Sequence, residues 1–156
     1  MLIYFSIFLL ANPIIVYLQL DTFRKNNVFA ACVCGDLNMV KKMVNDPNIN
    51  FNAVDQYHRT GFIIACQHGQ TDIVEYLLNC AQKRNIDFNW QADDNLTGFH
   101  IACIRGHYKI VSLIMSHAAD ALNINLFARD FEGQTAFEMW PEIFVETDSE
   151  IYLKQH

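Results

Sequence analysis

A sequence pattern that recurs after 37 residues limits the fold of this 156-residue chain more than any other feature. Residues 60–78, TGFIIACQHGQTDIVEYLL, return as residues 97–115, TGFHIACIRGHYKIVSLIM. Residues 28–44 carry the same core 34 positions before the first of these copies, and a further start appears at residues 135–137. Such a period predicts a row of stacked units, because one unit cannot bury its apolar face alone.

Each copy contains two short runs in which apolar residues recur at helical spacing. We expect a first helix over about residues 61–68 and a second over about 71–81, repeated at about 98–105 and 108–118. A threonine precedes each first helix, where it can cap the free amide groups, and a glycine follows it, where a left-handed turn can end the helix. Helices this short need their neighbours to be stable.

The stretches between the helix pairs are rich in Asn and Asp, which favours turns. We name them the first finger (residues 48–59), the middle finger (86–96) and the last finger (123–134). Each finger also brings apolar residues that can pack under the helices: Ile49, Phe51, Ile86, Phe88, Ile124 and Leu126. The spacing therefore predicts hairpin-like fingers that alternate with helix pairs.

Taken together, these residues resemble the ankyrin repeat, whose usual pattern is Asp-x-x-Gly-x-Thr-Pro-Leu-His-x-Ala-Ala-x-x-Gly-His followed by an Ile-Val-x-Leu-Leu helix. Residues 130–135 match the opening, 99–103 the first helix, 106–107 its end and 110–111 the second helix. The resemblance covers roughly residues 26–140. It implies an all-α, ankyrin-type solenoid of about three stacked helix-turn-helix repeats plus a truncated fourth.

Several positions depart from the family pattern. The proline that usually starts the first helix is missing, which makes helix initiation less rigid; its places are held by Gly61, Gly98 and Ala136. His58 and Asn95 stand where the finger glycine is expected, although Asn tolerates a left-handed backbone. The repeats are longer than usual after the second helix, which predicts longer second helices or looser loops. Pro141 should end the fourth unit.

The cluster His100, Cys103 and His107 has the spacing of a zinc or nucleophile site, but in the preceding copy only the thiol recurs. Cys32, Cys66 and Cys103 occupy one equivalent position, which favours small buried side chains. The family resemblance implies structural hydrogen bonds for both histidines, with His100 bonded to the backbone of a neighbouring finger. We therefore expect no catalytic residue, no metal and no cofactor.

Charge and cysteine content indicate which class of partner and which cellular compartment to expect. The formal net charge is −6, and the basic residues form only scattered pairs, so nucleic-acid binding is not expected. Five cysteines are an odd number, which fits a reduced compartment better than a disulfide framework. A cytoplasmic location follows as the expectation.

Residues 1–20 contain no charged side chain, and a run of about 20 apolar residues is long enough to span a bilayer. Pro13 and the absence of a basic residue before the run weaken that interpretation. Three alternatives stay open for residues 1–21: a membrane anchor, an arm packed on the domain, or a leader that is removed. If the run spans, Arg24 and Lys25 would hold the repeats on the cytoplasmic side. The repeat domain then covers residues 22–140, and residues 141–156 form an acidic tail or cap.

In the family, the fingers and the exposed side of the first helices usually form a concave recognition face. The resemblance implies a non-catalytic protein–protein interaction module, or alternatively an adaptor tethered to a membrane by residues 1–20. Of the matching residues, Tyr57, Arg105 and Phe131 are of types enriched at interface hot spots. The predicted partner-binding residues are Gln56, Tyr57, Arg59, Gln67, His68, Asp93, Asp94, Leu96, Ile104, Arg105, Arg129, Phe131, Glu132 and Gln134.

Overall fold

The computed structural model describes residues 28–119 and 122–142, and in this part of the chain all regular structure is helical. The segment 1–21 and most of the segment 141–156, with the predictions made for them, lie outside the described residues. The helices are α1 (residues 28–34), α2 (Leu37–Val44), α3 (Gly61–Gln67), α4 (Thr71–Asn79), α5 (Ala81–Arg84), α6 (Gly98–Ile104), α7 (Tyr108–Ala119) and α8 (Ala136–Met139), with a 3₁₀ turn at Asp93–Asn95.

Threonines and glycines begin and end the first helices as the sequence predicts. The hydroxyl groups of Thr60, Thr97 and Thr135 each accept a hydrogen bond from the amide of the third helical residue that follows. Gly69 and Gly106, which follow α3 and α6, have φ of 69° and 68°, in the left-handed region. Local sequence therefore fixes both ends of these helices.

Part of the additional residues after the second helices is helical. Helix α4 ends at Asn79, two residues before the predicted end, and the further turn α5 follows directly after Cys80. Helix α7 has 12 residues, against 9 in α4, so the predicted longer second helix is found in α7, whereas after α4 a separate helical turn takes its place. Helix α8 stops at Met139, which confirms the predicted effect of Pro141.

The helix pairs stack in register, first helix on first helix and second on second. Helix α3 packs against α6, and α4 packs against α7, while α8 continues the row on α6. The buried core combines one face of each second helix with apolar residues from the fingers; its members include Ile73, Val74, Leu77, Leu78, Ile110, Val111, Ile114, Met115, Ile49, Phe51, Ile86, Phe88 and Leu126. Ile124, predicted to pack in the same way, is half-buried against this core.

The three equivalent cysteines form a buried column through the first helices. Cys32, Cys66 and Cys103 are at most 2% exposed. Burial raises the pKa of Cys32 and of Cys103 to about 12. Burial also raises the pKa of Cys66, to which the neighbouring thiols add. All three remain neutral thiols at physiological pH, so their role is packing, as predicted.

Glycine at the start of α3 and α6 has a packing cause that the sequence did not reveal. A Cβ atom at Gly61 would lie 2.9 Å from Cγ1 of Val28, and one at Gly98 would lie 2.7 Å from Cε1 of Phe62. The sequence suggested only a less rigid helix start. Instead, the preceding repeat fills the space that a proline ring would need, so the glycine permits close stacking.

Candidate partner-binding face

Each finger turns at the same register position. The backbone amides of Asp55, Ala92 and Asp130 donate to the carbonyls four residues later at 3.0–3.1 Å. One residue before each of these carbonyls the backbone is left-handed, with φ of 53° at His58 and 58° at Asn95. The predicted hairpin-like fingers are confirmed, and a histidine and an asparagine take the backbone conformation for which glycine is usual.

Hydrogen bonds join the tips of the fingers into one row. The amide of Asp93 donates to the carbonyl of Tyr57 at 3.5 Å, and the amide of Phe131 donates to the carbonyl of Asp94 at 3.0 Å. The indole Nε1 of Trp90 donates to the carbonyl of His58 at 2.8 Å. The exposed side chains on this row therefore stand on a backbone that is fixed from both sides.

Two equivalent asparagines link the fingers near their bases. Asn52 Nδ2 donates to the carbonyl of Asn85 at 2.8 Å, and its Oδ1 accepts from the amide of Asp87 at 2.9 Å. Asn89 makes the same two bonds one repeat later, to residues 123 and 125. Each asparagine satisfies one carbonyl and one amide at the base of the next finger, so successive repeats keep a constant offset.

None of the fourteen predicted binding residues is buried. Arg59, Gln67 and Leu96 are half-buried. The exposed members are Gln56, Tyr57, His68, Asp93, Asp94, Ile104, Arg105, Arg129, Phe131, Glu132 and Gln134. Tyr57 is 51% exposed and Phe131 is 66% exposed, which is a large accessible area for an aromatic side chain. We call the surface made by these fourteen residues the finger face.

Part of the finger face is occupied by internal bonds. Arg59 donates to the carboxylate of Asp55 at 2.7 and 2.9 Å and to Oε1 of Gln67 at 2.7 Å. Its guanidinium also lies 4.8 Å from the centre of the Tyr57 ring. Burial raises the pKa of Asp55, but hydrogen bonds from Arg59 and two backbone amides outweigh it and lower the pKa overall. Arg59 thus holds the first finger against α3.

The two other arginines of the finger face differ from each other. Arg129 donates to the carbonyl of Gly133 and lies 3.4 Å from the carboxylate of Glu138. Arg105 is exposed, and its side chain makes no hydrogen bond or ion pair with any residue in the described ranges. Among the predicted arginines, Arg105 therefore has the greatest freedom to contact a partner.

At two positions of the finger face, the middle finger and α6 carry apolar residues where the first finger and α3 carry polar ones. Leu96 stands at the position equivalent to Arg59, and Ile104 at the position equivalent to Gln67. Ile104 is 36% exposed, and Leu96 packs on a small apolar cluster beneath the middle finger. An apolar patch with a polar surround is the arrangement found at the centre of many protein interfaces.

The cluster under Leu96 defines what we call the middle junction, where α3 and α6 meet the middle finger. Its buried members are Ile63, Ala92 and Ile101, with Trp90 packed beside them. Ile63 stands where the next repeat has His100, and Ala92 stands where the other fingers have Asp55 and Asp130. The middle finger therefore lacks the carboxylate that accepts backbone amides in its neighbours, half-buried at Asp55 and buried at Asp130.

The last junction, where α6 meets the last finger, is polar at these positions. His100 is 0% exposed, and its Nδ1 lies 2.8 Å from Oγ1 of Thr97. Asp130 is 7% exposed and its carboxylate accepts two backbone amides of its own finger. Burial lowers the pKa of His100, while the backbone carbonyls of Gln134 and Ala128 and the charge of Asp130 oppose that shift.

The expected hydrogen bond from His100 to a neighbouring finger is only partly realised. Its Nε2 faces the last finger but makes no hydrogen bond of normal geometry with a described residue. The bond that does form, to Thr97, completes the cap of its own helix. His107 behaves as predicted, because its Nε2 lies 3.4 Å from the carbonyl of Gln67 in the preceding repeat. Both histidines thus contact polar groups of the scaffold, His100 within its own helix cap and His107 in the preceding repeat.

The sequence interpretation missed two contributors to this surface. Val33 is 43% exposed and aligns with Gln67 and Ile104 at the repeat offsets. His58 lies 2.9 Å from the carboxylate of Asp93 through Nδ1, and so connects the first finger to the middle one. Extending the alignment to the first repeat would have found Val33, whereas the His58 contact depends on how the fingers are placed in space.

Within residues 28–119 and 122–142, no three His, Cys, Asp or Glu side chains come together as a metal site would require. In the same ranges, no helix is both long enough and apolar enough to cross a bilayer.

Comparison with known families agrees with the geometry of the repeats and fingers. The family described as "Ankyrin repeats (3 copies)" matches residues 8–89 and residues 27–126. No curated protein matches the chain. The first match begins inside the apolar segment 1–21 and so extends upstream of the predicted repeat domain. The chain belongs to the ankyrin-repeat family, whose repeats generally serve as protein–protein interaction modules.

Proposed function

We propose that this protein is a non-catalytic binding module that captures a protein partner on a concave finger face. The observation that carries the proposal is the combination of an apolar centre, Leu96 and Ile104, with exposed aromatic side chains at Tyr57 and Phe131. Aromatic and Arg residues supply most of the binding energy at protein interfaces, while the surrounding polar residues exclude water. Arg105, next to Ile104, adds an arginine whose side chain has no hydrogen-bond or ion-pair partner among residues 28–119 and 122–142.

Rigidity of the fingers would favour affinity. Association loses free energy when loops and side chains must be ordered, so a surface that is already fixed binds more tightly. Here the finger tips are tied together through the backbones of Tyr57, Asp93, Asp94 and Phe131. The bonds between Asn52 and Asn89 and the following fingers hold the bases in the same way. A partner would meet a preformed surface.

The test compares capture by the full chain with capture by a variant in which Tyr57, Arg105 and Phe131 are replaced by Ala. An unbiased pull-down with the wild-type chain first identifies the partner, and its capture is then quantified for the variant. We expect capture to be abolished while the helical circular dichroism is unchanged. The matched control replaces by Ala three exposed residues outside the finger face, namely Lys42 of α2, Asp72 of α4 and Gln82 of α5. Equal capture by the wild type and the Tyr57, Arg105 and Phe131 variant would refute the proposed face.

A finer comparison separates the arginines. Arg105→Ala should weaken binding by about tenfold or more without affecting stability, because its guanidinium has no internal partner among the described residues. Arg59→Ala should act mainly on stability, because this arginine links Asp55 and Gln67. The binding measurements are made at a temperature where both variants are folded. Equal weakening of partner binding by Arg59→Ala and Arg105→Ala would show that Arg59 contacts the partner despite its internal bonds.

The second candidate is an adaptor tethered to a membrane through residues 1–20. It is supported by the uncharged run alone, and the family match that begins at residue 8 includes most of the same residues. We propose 22–140 as the repeat domain and a cytoplasmic location for it. Alkaline carbonate extraction tests the tether, because a tethered chain stays in the membrane pellet and an untethered one is released.

A further inference from the structure

A second surface lies between the second helices α4 and α7, outside the finger face. An open groove of about 700 Å³ is bounded there by residues of both helices. Its lining consists of Thr71, Glu75, Tyr108, Lys109, Ser112, Leu113 and Ser116. None of these residues belongs to a finger, so a ligand in this groove would leave the finger face accessible.

At the equivalent place between α2 and α4, a lysine side chain of the protein itself lies across the two helices. There, Nζ of Lys41 lies 5.6 Å from the centre of the Tyr76 ring, so the lysine side chain extends from one second helix across to the next. A second lysine bridges the same two repeats, because Nζ of Lys83 donates to Oδ1 of Asn45 at 3.0 Å. A lysine side chain, which combines an apolar stem with a cationic end, therefore occupies this position between α2 and α4.

At the groove, a different pair of residues stands at the two positions equivalent to Lys41 and Tyr76. Glu75 occupies the position of Lys41, and Leu113 occupies the position of Tyr76. Glu75 is exposed and its carboxylate makes no ion pair or hydrogen bond with any residue in the described ranges. Leu113 remains half-buried and packs against the core from one side. The space therefore stays open, with an anion beside an apolar floor.

We propose that this groove binds a lysine side chain of an extended protein segment, in the manner in which Lys41 lies on Tyr76. The four methylene groups would cover Leu113, and the ammonium group would pair with Glu75 near the ring of Tyr108, which is 46% exposed. Lys109 places the opposite charge on the same groove and forms no ion pair with Glu75. A segment that carries an acidic residue beside the lysine complements both charges.

The test is a differential selection from a library of random linear peptides displayed on phage. Selection on the full chain is followed by removal of all peptides that also bind the variant Glu75→Lys. This substitution reverses the charge and restores the lysine that stands at the equivalent position, Lys41, in the preceding repeat. Peptides that bind the finger face bind both proteins and are discarded. We expect the survivors to be enriched in lysine with a neighbouring acidic residue; no enrichment, or survivors without lysine, would overturn the proposal.

An enriched peptide is then synthesised and titrated into the ¹⁵N-labelled full chain. We expect amide shifts at Glu75 and at residues 108–116, and a dissociation constant about threefold to fivefold weaker for Glu75→Gln, as one exposed ion pair provides. Asp72→Asn, one turn away and outside the groove, is the charge-matched control. Loss of the finger-face residues Tyr57, Arg105 and Phe131 should leave this binding unchanged. Shifts confined to the fingers, or equal affinity for Glu75→Gln, would refute the site.

Discussion

The middle junction and the last junction occupy equivalent places in the array and use opposite chemistry. At the middle junction Ile63 packs with Ala92 in an apolar cluster. At the last junction His100 and Asp130 are both buried, and the charge of Asp130 favours the protonated form of the imidazole. Both positions differ between these two junctions, with isoleucine and alanine in place of histidine and aspartate, whereas the equivalent positions of the first repeat hold Phe29 and Asp55. We predict that His100 and Asp130 stabilise the last junction together.

The largest change in stability is expected when one apolar residue of the middle junction is replaced by a polar one. Ile63→His should lower the free energy of unfolding by about 3 kcal/mol, because the imidazole would be buried without a carboxylate nearby. Adding Ala92→Asp should recover about 1–2 kcal/mol, since contacting residues couple by that amount. Urea unfolding of the two single variants and the double variant measures the coupling. Strict additivity would show that the two positions are independent.

The next test concerns the helix start at the same junctions, where Gly98 faces Phe62 and Ala136 holds the equivalent place one repeat later. Gly98→Ala should cost about 2 kcal/mol of stability despite its higher helix propensity, because the new Cβ would overlap the Phe62 ring. Thermal unfolding measures the change. Adding Phe62→Leu to Gly98→Ala should cost less than the sum of the single changes; an Ala variant as stable as the wild type would disprove the steric argument.

His100 should give the last junction a pH dependence that the middle junction lacks. Burial lowers the pKa of His100 below its ordinary 6.5, so the unfolded chain binds this proton more readily. The stability that neutral His100 supplies is complete above the ordinary pKa of 6.5. It is lost as the pH falls from there through the lower pKa of the folded state. His100→Ile should cost about 1–2 kcal/mol at neutral pH, because Thr97 loses a buried partner.

The measurement for His100 is urea unfolding on both sides of pH 6.5. The difference in stability between wild type and His100→Ile should shrink as the pH falls. The double variant His100→Ile with Asp130→Ala, which copies the middle junction, separates the histidine from its carboxylate. A constant difference at all pH values would mean that His100 does not titrate differently in the folded and unfolded chains.

The smallest effect is expected at the first finger. Arg59→Leu copies Leu96 of the middle finger and should reduce stability by about 1 kcal/mol, because the ion pair with Asp55 is partly exposed. Hydrogen bonds and the charge of Arg59 hold the pKa of Asp55 below its ordinary value, so this contribution is present at neutral pH and lost in acid. NMR titration of the Asp55 carboxyl should show a higher pKa in the variant. An unchanged pKa would contradict the assigned role of Arg59.

Regular features of the fold follow closely from the sequence because they have local causes. The caps at Thr60 and Thr97, the left-handed Gly69 and Gly106 and the helix stop before Pro141 each depend on neighbouring residues in the chain. Periodic apolar residues then predict which face of each helix is buried. A short window of sequence is enough to predict such features, because the residues that cause them are neighbours in the chain.

Several features of the candidate surfaces could not be predicted in this way. Exposure of Tyr57 and Phe131 follows from their place in a turn, but the internal bonds of Arg59 and the freedom of Arg105 depend on side chains from different elements. The groove beside Glu75 depends on two second helices that are 37 residues apart. Alignment of the repeats could have revealed the joint replacement of His100 and Asp130, but not that the replacements are in contact.

The sequence by itself determined the repeat, the start of each first helix, the buried thiol column and the membership of the family, because each rests on local propensity or on a period that a single chain displays. Only the tertiary structure decided which glycines are crowded, which arginine is bound internally and where a groove opens between second helices. The physical reason is that these properties depend on the distance between side chains of adjacent repeats. Stacking sets that distance, and a difference of one ångström separates a contact from a clash.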